Sequence, residues 1–162
     1  MDPHTVCASA CRHVDPDTKC ENALLNKYDE YRSLYLSYLE RCNEHDFDGM
    51  ASFYTPTIKI NDLPMNPKAV AAQFAPVTAA FPDWHWEARS IAIDGELIAV
   101  HFEVTGTHLG SFRGISATGR RVRIKQFTFY RLEDGKIAEV WDHADMDKAL
   151  RQIEASEGSA PT

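Results

Sequence analysis

A chain of 162 residues, 44% hydrophobic and 25% charged, has the composition of one globular domain, which excludes disordered, collagen-like and fibrous classes. Its formal charge of -7 argues against a nucleic-acid partner, whose phosphate backbone calls for clustered Lys and Arg. The short basic run "GRRVRIK" alternates Arg121, Arg123 and Lys125 on one side of a strand and reads as a solvated sheet face.

The first stretch, residues 1–20, carries Pro3, Pro16 and several Asp with no hydrophobic period, the pattern of a flexible leader. It holds Cys7, Cys11 and Cys20 with His4 and His13 between and around them. Their spacing lacks the paired short knuckles of a zinc finger or ribbon, so free thiols are expected and no metal. No apolar run reaches the length of a signal peptide or a membrane span, and a cytoplasmic protein with no membrane association is expected. Residues 21–154 form the single expected domain, and 155–162, "ASEGSAPT", a frayed tail.

From Glu21 onward Leu24, Tyr28, Tyr31, Tyr35, Tyr38 and Cys42 recur every three or four residues, one face of a long helix. A tyrosine-rich stripe is either core or the wall of a polar cavity, because buried hydroxyls need partners. In "HDFDGMASFYTP" Asp46 can cap a short helix that turns Phe47, Met50, Phe53 and Tyr54 inward and ends at Pro56. "TIKIN" then alternates as a strand. Asn66 and Pro67 open a third helix that Pro76 kinks or breaks.

Beyond Pro82 the period changes to two, predicting strands near 84–93, 96–108, 120–132 and 136–143. Asp94-Gly95 and Asp134-Gly135 mark hairpins. Asp145 is placed to cap a last helix with Met146, Ala149, Leu150 and Ile153 on its apolar side. This order of elements predicts an α+β fold: a curved antiparallel sheet packed against N-terminal helices, with room for a small molecule between them.

The stretches "GTHLGSFRGISATGRRV" (106–122) and "FYRLEDGKIAEVWDHADM" (129–146), with "FPDWHWE" (81–87), resemble the SnoaL-like polyketide cyclase family of the nuclear transport factor 2-like superfamily. The matching positions include Gly106, His108, Gly110, Phe112, Gly114, Gly119, Arg121, Tyr130, Gly135, Trp141 and Asp145. The resemblance implies a cone-shaped barrel, a homodimer formed through the outer sheet face, and an apolar pocket for a hydrophobic or polycyclic substrate. It also implies chemistry without a cofactor. An aspartate on the last strand would serve as general acid-base, and the position aligned through "DGKI" is Asp142. The pocket histidine of the family falls on Thr128, and Gln126 matches a polar pocket position.

Strand geometry bears on Asp142 independently. A three-residue "EDG" loop pairs Leu132 with Lys136 and sets Gln126 opposite Asp142 and Thr128 opposite Val140. Gln126, Thr128, Tyr130, Ala138, Val140 and Asp142 then share one face, and Trp141 and His143 the other. A two-residue Asp-Gly turn would put Asp142 beside Phe127 instead.

The candidate catalytic residues are thus Asp142 and His108, the latter as acid or orienting donor at a pocket mouth or else as loop packing. Tyr38, Tyr54, Trp86, Gln126 and Thr128 are the candidate substrate-binding residues. Trp84 and Trp86, flanking His85, point to one face as an aromatic floor or as core. The glycine-rich "LGSFRGISATG" is a candidate lid. The expected function is a cyclase or isomerase acting on a polyketide- or terpenoid-derived intermediate by ring closure, isomerisation or dehydration. A non-catalytic ligand-binding or dimerisation module of the same fold is the alternative.

Overall fold

A computed structural model of the protein describes residues 16–154. Helix α1 (Pro16–Asn43) is followed by α2 (Phe47–Ala51), β1 (Tyr54–Ile60), β2 (Leu63–Met65), α3 (Pro67–Ala72) and α4 (Ala75–Ala80). Four long strands follow: β3 (His85–Asp94), β4 (Leu97–Thr107), β5 (Arg121–Glu133) and β6 (Lys136–Ala144), and then α5 (Met146–Glu154). Helix is present at Pro16, inside the stretch 1–20 expected as a leader. Cys7 and Cys11 lie outside the described residues, as does the expected tail 155–162.

The six strands form one sheet in the order β2-β1-β6-β5-β4-β3. Pairing is antiparallel from β3 to β6 and between β1 and β2, but β1 runs parallel to β6. That parallel pair makes the expected antiparallel sheet a mixed one. Between Tyr54 and Lys59 the β1–β6 register shifts, and Pro56 lies in this gap, where a residue without N–H costs no ladder bond. Tyr54 and Pro56 thus belong to β1 rather than to the end of the short helix.

Local caps match the chain's own chemistry. Gly49 N donates to the Asp46 side chain at 2.9 Å and Ala69 N to Asn66 at 2.8 Å, while Lys148 N donates to Asp145 at 3.1 Å. The third helix is broken at Gln73 and Phe74 into α3 and α4, and Pro76 stands in the first turn of α4, where its missing N–H costs no bond.

The core lies between the concave sheet face and the helices. Tyr31, Tyr35, Tyr38 and Cys42 of α1 are buried, but Leu24 is 64% exposed and Tyr28 is at the surface. The predicted apolar stripe is therefore a core stripe only from Tyr31 onward. No helix of the described residues is long and apolar enough to cross a membrane.

Candidate active site

One cavity of about 590 Å³ opens between the concave sheet face, α3, α4 and the start of α5. Its floor is aromatic. Trp84 and Trp86 stand edge to face with ring centroids 6.2 Å apart, and Phe74 of the segment between α3 and α4 meets Trp86 edge-on at 5.8 Å. Both tryptophans are buried and both line the cavity, so they serve as floor and core at once.

The C-terminal end of α1 fixes this floor. Trp86 N donates to Asn43 Oδ1 at 2.8 Å, and Asn43 Nδ2 donates to Trp86 O at 3.0 Å. His45 Nε2 lies 2.8 Å from Trp84 O. Neither Asn43 nor His45 stands out in the sequence, since a polar pair just past a helix is ordinary capping chemistry until the partner strand is known.

The polar stripe comes from β5 and β6. The Asp134-Gly135 turn is a two-residue one, with Glu133 opposite Lys136 and both central residues at positive φ, 49° and 73°. Alone it would place Asp142 opposite Phe127. The register shifts, however, from Leu132↔Ile137 to Arg131↔Glu139, so that Ala138 is a bulged extra residue. The bulge restores the face that the turn would have reversed, and Asp142 pairs with Thr128.

The expected register is thus wrong by two residues: Gln126 faces Ala144, and Tyr130 faces Val140. Because side chains alternate with period two, the membership of the concave face is kept. Gln126, Thr128, Tyr130, Val140 and Asp142 all line the cavity, with Ala144 in the place expected for Ala138.

Asp142 is half-buried. Its Oδ1 accepts from Gln126 Nε2 and from Thr128 Oγ1, each at 2.7 Å. Trp86 Nε1 donates to Gln126 Oε1 at 2.9 Å. An indole N–H can only donate, which turns the Gln126 oxygen toward it and leaves the amide N–H₂ for Asp142. The carboxylate is therefore held by a chain of donors that begins on the cavity floor. Its backbone N donates to Asn61 Oδ1 at 2.9 Å, so the β1–β2 turn also positions it. Among the described residues, no hydrogen bond reaches Asp142 Oδ2.

Tyrosines complete the wall. The Tyr38 and Tyr54 hydroxyls share a hydrogen bond of 2.8 Å, and Tyr35 donates to Tyr130 at 3.3 Å. Tyr38, Tyr54 and Tyr130 line the cavity; Tyr35 is buried behind them. Burial, above all, holds all four phenols well above their usual range, with the neighbouring Cys42 adding to the effect at Tyr35, Tyr38, Tyr54 and Tyr130. They remain neutral O–H donors at physiological pH. Burial also pushes the Cys42 thiol up to about 12, which makes it a core residue rather than a nucleophile.

His108 does not line the cavity. It is fully buried, stacked on Phe81 with centroids 5.2 Å apart, and its Nδ1 lies 3.0 Å from Thr118 Oγ1. The loop that follows β4 folds back over it, so the expected place at the pocket mouth gives way to loop packing. His85 is exposed, and His101 stacks on Phe127 of the outer sheet face at 4.7 Å. The "LGSFRGISATG" loop does reach the cavity, through Ser111, Phe112 and Arg113.

Asp145 caps α5, and Trp141 and His143 share the outer face with Phe129 and Phe127. Among the described residues, no three His, Cys, Asp or Glu side chains converge as metal ligands.

A concave mixed sheet closed by helices around a mostly apolar cavity defines the class: an α+β cone of the nuclear transport factor 2-like kind. The chain belongs to the SnoaL-like polyketide cyclase family, whose model matches residues 32–153. Among solved structures it is similar to AclR from Streptomyces galilaeus, a suggested hydroxylase, at 28% identity with a TM-score of 0.70, over 77% of this chain and 96% of that one. It is also similar to a SnoaL-like polyketide cyclase from Agrobacterium tumefaciens, at 27% identity and a TM-score of 0.66, over 76% of this chain and 97% of that one. IdmH from Streptomyces antibioticus shares the fold at 23% identity and a TM-score of 0.70, over 77% of this chain and 99% of that one. No curated protein matches the sequence.

Proposed function

We propose that the protein is a cofactor-independent cyclase or isomerase acting on a polyketide- or terpenoid-derived intermediate of secondary metabolism, with Asp142 as its general acid-base. The observation that supports this most is the carboxylate itself. Asp142 lines an aromatic cavity, its Oδ1 tied by Gln126 and Thr128 and its Oδ2 without a bond among the described residues.

A carboxylate so oriented can take a proton from a carbon beside a carbonyl and return it to oxygen or carbon. The charge that develops on the substrate oxygen needs donors, and the neutral hydroxyls of Tyr38, Tyr54 and Tyr130 line the same wall. Ring closure, isomerisation and dehydration all reduce to these two transfers. The name of the Agrobacterium relative agrees with this class of reaction. Thr128, standing where the resemblance implies a histidine, holds the base by a hydrogen bond instead of carrying a proton itself.

Half-exposed Phe127 and Phe129 on the outer sheet face support a homodimer formed there. The alternative reading, a ligand carrier without turnover, draws on one feature: none of the residues lining the cavity is a histidine.

Asp142→Asn keeps the shape of the side chain and removes the base. Turnover of an intermediate from this class is expected to fall at least about 100-fold, with ligand binding retained. Unchanged turnover would exclude Asp142 as the acid-base, and binding without turnover in both proteins would favour the carrier.

A further inference from the structure

Among the described residues, five other than glycine have positive φ: His45, Asn61, Asp62, Arg113 and Asp134. Four of them are of the Asn, Asp and His types that tolerate the left-handed region. Arg113 is the exception, at φ 47° and followed by Gly114 at 83°. Phe112 and Ile115 exchange two backbone hydrogen bonds of 2.9 Å across them, which closes a two-residue hairpin turn of the kind that favours Asn-Gly or Asp-Gly. The Asp134-Gly135 turn, at 49° and 73°, has the favoured pair. An arginine in this place is backbone strain that the turn itself does not require.

The side chain so placed lines the cavity, with its guanidinium 5.4 Å from the centroid of the Phe112 ring. Among the residues lining the cavity, Arg113 is the one basic side chain and Asp142 the one acidic. Among the described residues, Arg113 makes no ion pair. Three other arginines of the sheet are ion-paired within the fold, Arg89 and Arg123 with Glu103 and Arg131 with Glu139, whereas Arg121, among the described residues, is not. A chain with net charge -7 repels anions in general, so an anionic ligand needs a local cation to enter.

Resting on the reading of the cavity as a substrate site, we infer that its ligand carries a carboxylate, which Arg113 binds at the cavity rim while Asp142 addresses the apolar ring system. A planar guanidinium matches a carboxylate through two parallel hydrogen bonds. A phosphate monoester, with its greater charge, would call for more cations than the cavity wall supplies. Arg113 is a specificity residue in this scheme, and the acid-base step remains with Asp142.

The test uses the full chain and two probes, anthraquinone-2-carboxylate and its methyl ester, titrated against the fluorescence of Trp84 and Trp86. The wild type is expected to bind the acid at least about tenfold more tightly than the ester. Arg113→Gln should remove that preference and leave ester affinity within about twofold; Arg113→Lys should keep part of it. Arg113→Gly should remove the preference and raise Tm by about 2 °C, because glycine relieves the positive φ. An acid-to-ester ratio unchanged in Arg113→Gln would overturn the inference and leave the cavity reading standing. Failure of both probes to quench the wild type would overturn both.

Discussion

The β5–β6 ribbon has two faces that differ in kind although the same thirteen- and nine-residue strands make them. Its concave face offers Gln126, Thr128, Tyr130 and Asp142, and nearly every polar atom there is engaged: Gln126 by Trp86, Asp142 by Gln126 and Thr128, Tyr130 by Tyr35. Its convex face offers Phe127 and Phe129, which are 53% and 51% exposed. Polar groups removed from water must find partners, whereas apolar groups left in water need none and can later be covered by another surface. The interior face is therefore organised by hydrogen bonds, while the outer one sets exposed Phe127 and Phe129 among charged side chains such as Arg123, Arg131 and Glu139.

Alkaline pH breaks this comparison most strongly, and on the interior side. Tyr35, Tyr38, Tyr54 and Tyr130 are held above their ordinary value of 10.0 by burial. In the unfolded chain these phenols ionise near pH 10, while in the folded chain they keep their protons. Above pH 10 the unfolded state thus binds fewer protons, and stability falls as pH rises until the folded values are reached; below pH 10 the contribution is fully present. Each group costs roughly 1.4 kcal/mol per pH unit in that window, or on the order of 5 kcal/mol per unit for the four together. Urea unfolding at pH 9 and pH 11 measures it, and equal midpoints would show that the tyrosine network is open to solvent.

A smaller effect sharpens the contrast in packing. Gly106 of β4 lies under the floor, where an added Cβ would sit 2.8 Å from Trp84 Cε3 and 3.1 Å from Phe81 Cβ. Gly106→Ala is expected to cost about 1–3 kcal/mol in thermal or urea unfolding and to weaken cavity binding by displacing Trp84. A neutral outcome would mean that the tryptophan floor is loosely held. The smallest effect belongs to the convex face. Phe127→Lys should change monomer stability by no more than about 0.5 kcal/mol and leave the cavity's ligand affinity unaltered, while the proposed homodimer on this face requires its sedimentation mass to fall from dimer to monomer. A wild type that sediments as a monomer would exclude that dimer, and a dimeric mass kept by the variant would move its contact off this face.

The class of fold was legible because its signals are local. Helix and strand periods, the Asp46, Asn66 and Asp145 caps and the Asp-Gly turns act over a few residues, and the structure keeps them with boundaries shifted by one or a few positions. The concave set of Gln126, Thr128, Tyr130 and Asp142 was legible for a related reason: alternation divides a strand into two faces whatever strand lies beside it. His108 and Arg113 were not, since whether a loop residue points into a cavity or behind it depends on how the loop folds over the sheet. For His108 the mouth of the pocket and loop packing were both open, and it is packed beneath the loop; Arg113, in the same loop, lines the cavity.

The amino-acid sequence by itself determined the elements, their caps, the division of β5 and β6 into two faces, and the family. Tertiary structure alone decided which way those faces turn. The two-residue Asp134-Gly135 turn would have carried Asp142 to the outer surface, and the one-residue bulge at Ala138 carries it back into the cavity. A bulge forms where the pairing of distant strands and the burial of Leu132 and Ile137 require it, and β1, which reaches β6 across most of the domain, pairs with the bulged strand on its other edge. Those contacts are long-range, and no local pattern of residues encodes them.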